Sequence, residues 1–275
     1  MRRVIVGLAF LVGLAVLVDF SAAAYAEYRV SRAVRAGADL NADPAVTIHG
    51  FPFLAQVGRD NYRDIEIRAR EMRPDIVGGM YVVAHLRDVQ MPLSKLLDGS
   101  VRTVTAGGVD ASIFIDPTAL GHLLGISDLQ VSTPPADKSD GSGGSGGSGM
   151  TTAGPIVLMG TVPISGGTAG DVPVAQTDGA AGTTQRVSVQ ARLVLENGRI
   201  RIVADQLYVG RLGRPDTPVP DADLPGVLAR FSKVIDFPPL PFGLAPTTVG
   251  AHGGQIILSG AGKRLTLKLD QLQHP

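Results

Sequence analysis

The chain of 275 residues has no cysteine and no tryptophan. Without cysteine there are no disulfides, no thiolate metal sites and no cysteine nucleophile, so an exported protein of this sequence is held by its core alone. Aromatics are scarce at 5%, and 25 basic residues against 25 acidic ones leave no net charge. A balanced charge offers nucleic acid no basic surface. The five histidines, His49, His85, His122, His252 and His274, stand far apart and form no H-x-x-x-H or H-E-x-x-H spacing, so no metal site is expected. No P-loop or credible dinucleotide fingerprint is present, and no cofactor is expected either. The tract at 141–149 satisfies G-x-S-x-G and glycine-loop patterns through low complexity alone, with no strand leading in and no helix leading out. No Ser/His/Asp set can be ordered, and no catalysis is expected. An envelope hydrolase would need a Ser or Asp nucleophile that the sequence does not identify.

Apolar residues make up 44% of the chain, enough for a sizeable core, and 35 Gly with 19 Pro argue for many turns. Arg2-Arg3 precede an uninterrupted run of apolar residues and glycines from Val4 to Val18, then Asp19, then small residues from Ser21 to Ala26. This is the layout of a secretory signal peptide cleaved after Ala24 or Ala26. Fifteen residues of helix span about 22 Å, short of the ~30 Å hydrocarbon core. The rival reading is an uncleaved anchor in which the helix runs on past Asp19. Residues 1–26 are thus a signal peptide or N-terminal membrane anchor, and 27–275 one domain beyond the outer side of the cytoplasmic membrane, with the arginines marking the inside. From 27 to about 40 a helical pattern continues, with Val30, Ala33, Val34 and Gly37 on one side and Arg29, Arg32 and Arg35 around the other.

Residues 62–70 alternate Ile65, Ile67 and Ala69 with charged residues, the pattern of a half-buried antiparallel strand. Strands are also expected at 81–89, 101–105, 109–115 (joined to the last through Gly107-Gly108), 126–132 and 156–164. Short helices are expected at 92–97 and at 117–124, the latter capped by Asp116. Residues 134–149 and 165–184 read as flexible loops. The alternation at 187–195 and 200–204 around Asn197-Gly198 is a β-hairpin with a type I′ turn. A helix over 225–235 and strands near 247–251, 256–259 and 264–269 complete the chain. No βαβ rhythm appears, so the class is α+β with a large antiparallel sheet.

Gly50-Phe51-Pro52-Phe53-Leu54 concentrates bulky apolar residues where the N-terminal helical pattern meets the strands. Pro52 suits a turn or a helix start and not a central strand. Together with His49, the Ala55-Gln56 that follows, the 62–69 strand, Phe237-Pro-Pro-Leu-Pro-Phe-Gly-Leu244 and Gly260-Ala-Gly-Lys-Arg-Leu-Thr-Leu267, the segment resembles the actinobacterial LmeA-like family of cell-envelope phospholipid-binding proteins. The likeness covers roughly 25–270 and is loose over 134–184. It implies a large curved antiparallel sheet wrapped around a long N-terminal helix with a few short helices, similar to the tubular lipid-binding (TULIP) proteins. It also implies an exported, periplasmic or cell-envelope protein that binds phospholipid, phosphatidylinositol-type lipids among the candidates, in lipid or lipoglycan (lipomannan) biogenesis.

On that resemblance Phe51, Phe53, Leu54, Leu93, Leu96, Leu97, Phe114, Leu120, Leu124, Phe231, Phe237, Leu240 and Phe242 are candidates for an apolar lipid cavity. From the residues alone the same set reads equally as filled core. Arg59, Arg63 and Arg73 are candidate headgroup contacts, because a guanidinium pairs bidentately with phosphate; surface ion pairs are their other reading. The alternative function is a structural or adaptor domain of the envelope, docking a protein partner through a sheet edge or the 237–242 segment.

Overall fold

The computed structural model describes residues 1–37, 42–70, 79–92, 95, 103–133, 154–164, 183–208, 219–237 and 240–268. The two helical patterns at the N-terminus are one unbroken helix, α1 (Arg2–Gly37). Residues 1–18 are exposed, whereas Asp19, Ala26, Val30 and Val34 are buried. These four recur at spacings of seven and four, a single stripe along the helix. Only the half of α1 from Asp19 onward therefore packs on the body.

Eleven described strands follow: β1 (Ala45–His49), β2 (Asn61–Arg70), β3 (Met80–Gln90), β4 (Thr103–Ile115), β5 (Gln130–Ser132), β6 (Ile156–Ile164), β7 (Thr183–Glu196), β8 (Arg199–Leu207), β9 (Lys233–Asp236), β10 (Thr248–His252) and β11 (Gln255–Lys268). The expected mixed α+β class is observed. The strands divide into two antiparallel sheets, one of six in the order β1-β2-β3-β4-β11-β10 and one of five in the order β5-β6-β7-β8-β9, and neither closes into a barrel. Short helices α2 (Phe53–Val57), α3 (Pro117–Leu124) and α4 (Leu224–Arg230) lie between strands. Apolar faces of both sheets join the buried side of α1 in one continuous core.

Several local expectations are corrected: the strands expected near 256–259 and 264–269 are one strand, β11, and the strand expected at 126–132 is only Gln130–Ser132. The strands expected at 101–105 and 109–115 are one strand, β4, because Gly107-Gly108 is a crease and not a turn. At Gly107 the register skips Asp88 on β3 and Arg264 on β11, both with positive φ (49° and 52°). Burial correspondingly passes from Val104 and Ala106 to Val109, Ala111 and Ile113. Pairing resumes in the same register beyond this row, so no residue is inserted, and the apolar residues on either side of it still face the core. The helix expected over 225–235 stops at Arg230; β9 then pairs with β8 at Arg199–Ile202. Ser232 makes the switch, its hydroxyl donating to the Leu228 carbonyl and accepting from the Ala204 N–H. Asp116 precedes α3 but does not cap it; its carboxylate accepts from the Gln255 side chain. Of the helix expected at 92–97 only residues 92 and 95 are described, the loop expected at 134–149 lies outside the described residues, and of the loop expected at 165–184 the last two residues instead open β7 while the rest lie outside them.

Candidate functional site

The site is built by α1 crossing the apolar face of the six-stranded sheet. Val30, Ala33 and Val34 line one wall of an open cleft of about 450 Å³, its mouth included. Ile65 and Ile67 of β2, Leu86 and Val89 of β3, Met91 just after β3 and Val104 of β4 line the other. The cleft straddles the crease, since Ile65, Ile67 and Leu86 lie on one side of it and Val89, Met91 and Val104 on the other. Its lining is apolar, as that of small-molecule sites is. Half-exposed Arg29 is the charged residue among the lining. Tyr62, opposite Val89 in the register, is fully buried and its hydroxyl has no hydrogen-bond partner. Burial, and secondarily the charge of Asp60, pushes its pKa up, so the phenol stays neutral.

Hydrogen bonds lock α1 to the sheet around this cleft. Glu27 Oε1 accepts the Ile48 N–H at 2.8 Å, serving a backbone donor on edge strand β1. The Ser31 hydroxyl donates to the Pro44 carbonyl at 2.6 Å. At the far end, the Asp19 carboxylate accepts the backbone N–H groups of Phe53 and Leu54, both at 2.8 Å. These are the first amides of α2, which Pro52, at the N-cap, leaves without a side-chain cap. A residue 34 positions upstream thus caps the helix. The Gln56 amide ties the same segment to β2, donating to the Gly50 carbonyl and accepting the Arg63 N–H.

The candidates named from sequence are scattered around this cleft, and none of the described ones is among its lining. Phe53 is buried against Tyr62, ring centroids 6.1 Å apart. Phe51 and Leu54 are exposed, with Phe51 stacked on Phe20 at 6.1 Å. Phe114 lies half-buried on the other face of β4 from Ile113 and Ile115, stacked on Tyr81 at 4.5 Å. Leu120, Phe231 and Leu240 are buried, and Leu124, Phe237 and Phe242 pack partly exposed against the core. Arg59 and Arg63 are exposed beside α2. Leu93, Leu96, Leu97 and Arg73 lie outside the described residues. Sequence reasoning weighted size and aromaticity and so missed the lining; its signal was the Val30/Ala33/Val34 stripe and the Ile65/Ile67 alternation.

The outer face of the sheet is occupied by ion pairs. His49 Nε2 lies 3.0 Å from Glu66, which also pairs with Arg68, and Arg87 pairs with Asp110. Burial pushes the Glu66 pKa up, but the hydrogen bonds from His49 and Arg68 outweigh it and hold the carboxyl below its ordinary value. No group of three or more metal-ligating side chains occurs among the described residues. The serine hydroxyls of residues 21, 31 and 232 bond backbone carbonyls, and Ser112 and Ser259 bond each other.

Comparison with curated proteins and with solved structures gives no match. A family model described as LmeA-like phospholipid-binding matches residues 17–261, a span that takes in Asp19, the whole cleft and both sheets except the end of β11. The chain belongs to the LmeA-like phospholipid-binding family.

Proposed function

We propose that this protein binds a phospholipid with an acyl chain laid in the cleft between α1 and the six-stranded sheet, and that it performs no chemistry on it. The observation that carries the reading is an open apolar cleft with an arginine among its lining, in a member of a phospholipid-binding family. Each methylene removed from water contributes about 0.8 kcal/mol, so burying even part of one chain offsets the cost of ordering it. Arg29 meets the phosphate where the chain enters, bringing a bidentate donor to it. Arg59 and Arg63 lie along the body at α2 and serve headgroups there. The protein acts at the outer side of the cytoplasmic membrane, in assembly of envelope lipid or lipoglycan, with phosphatidylinositol-type lipids the first class to test.

Native mass spectrometry of the full chain, released from a membrane-containing host in mild detergent, tests this. Discrete adducts that extract as phospholipid are expected, and the headgroup names the class. Ala33→Trp fills the cleft from its half-exposed wall and is expected to lower occupancy about tenfold, ~1.4 kcal/mol, with an unchanged circular dichroism spectrum. Wild-type protein that stays bare after mixing with liposomes would return the cleft to ordinary packing.

A further inference from the structure

The segment Phe51–Leu54, whose Phe53 is core while Phe51 and Leu54 face outward, has an arrangement that cargo binding does not use. Phe20, Phe51 and Leu54 are 63%, 60% and 45% exposed, and the first two rings stack. Large apolar side chains held outward in one cluster mark an interaction surface. What covers it follows from its neighbour. Every residue from 1 to 18 is exposed, and α1 carries a window of mean hydropathy 2.5, apolar enough to cross a membrane. The body begins at Asp19, 5% exposed, whose carboxylate holds the Phe53 and Leu54 amides. Phe20 follows directly on the exposed apolar run of the helix, Phe51 stacks on it, and the backbone of Leu54 is held to the neighbouring Asp19.

We propose that α1 stays on the mature protein as its anchor, and that Phe20, Phe51 and Leu54 form a seat immersed in the interfacial layer of the outer leaflet. Asp19 is the clamp that sets the seat at the level where the helix leaves the bilayer. Arg59 and Arg63, exposed just beyond α2, then face the lipid phosphates from the aqueous side. The family match starts at residue 17, so cleavage after Ala24 or Ala26 would remove the clamp and part of the matched unit. The seat stands apart from the cleft: it does not depend on whether the cleft carries lipid.

The absence of tryptophan makes the test direct. The full chain carrying Phe51→Trp has a single tryptophan, and a Val234→Trp chain, altered at a position 46% exposed on β9, is its control. In vesicles of phosphatidylcholine with an anionic phospholipid, the tryptophan at 51 is expected to be quenched by shallow lipid-borne bromine and shielded several-fold from acrylamide. The tryptophan at 234 is expected to show the reverse. Adding Asp19→Ala to Phe51→Trp frees the segment and is expected to lower the bromine quenching while the chain stays in the vesicles. Equal acrylamide access at 51 and 234 would overturn the seat. An intact mass showing that membrane-extracted protein lacks residues 1–26 would overturn the retained anchor.

Discussion

Glu66 shows how a single side chain ties the sheet's outer face to pH. Its folded pKa is held below the ordinary 4.5 by hydrogen bonds from His49 and Arg68, against the opposing pull of burial. A carboxyl lowered on folding stabilises the protein in full above the unfolded value and loses that contribution as pH falls through the folded value. Chemical denaturation from pH 6 downward is therefore expected to show stability falling below about pH 4.5, with a shallower fall in Glu66→Gln; parallel curves would remove Glu66 from the account. Asp19 was legible as the residue that ends the apolar run, yet its partners were not. They are amides 34 and 35 positions away, and nothing in the spacing names them. The cleft lining was missed for a related reason: valine, alanine and isoleucine on a strand or helix face look the same whether a second element covers them fully or leaves a gap.

Elements were most legible where local chemistry alone decides them. The hairpin of β7 and β8 turns at Asn197-Gly198 with φ of 51° and 77°, as a type I′ turn requires, because its twist matches that of the strands. Gly198→Val forces a β-branched residue into that left-handed conformation and is expected to cost about 1–2 kcal/mol, read as a lower denaturation midpoint with an unchanged slope; a neutral result would mean the turn rearranges freely. Elements were misjudged where a neighbour decides. Residues 233–236 carry an apolar pattern that continues the helix before them, but the open edge of β8 takes them as a strand. Gly107-Gly108 reads as a link between two strands in one dimension; in the sheet Gly107 falls in a row with the unpaired Asp88 and Arg264, and β4 runs on through it.

At the scale of the molecule, a chain with no net charge carries an apolar helix whose part before Asp19 the body leaves uncovered. Attachment through charge is screened over about 3 Å at molar salt, whereas an apolar span is indifferent to it. Membranes from cells expressing the full chain are expected to retain it through a 1 M salt wash and release it only to detergent; release by salt alone would make the attachment peripheral. The sequence by itself determined the class of fold, the apolar N-terminal helix and the strand alternation, because each rests on periodicity or composition within a short window; the family likeness came from motifs spread along the chain. Only the tertiary structure decided that the strands form two sheets, that Asp19 clamps a distant segment, and that an apolar cleft lies under α1. Those outcomes depend on which faces meet across long separations, and close packing settles that by volume and hydrogen-bond satisfaction, which no local pattern contains.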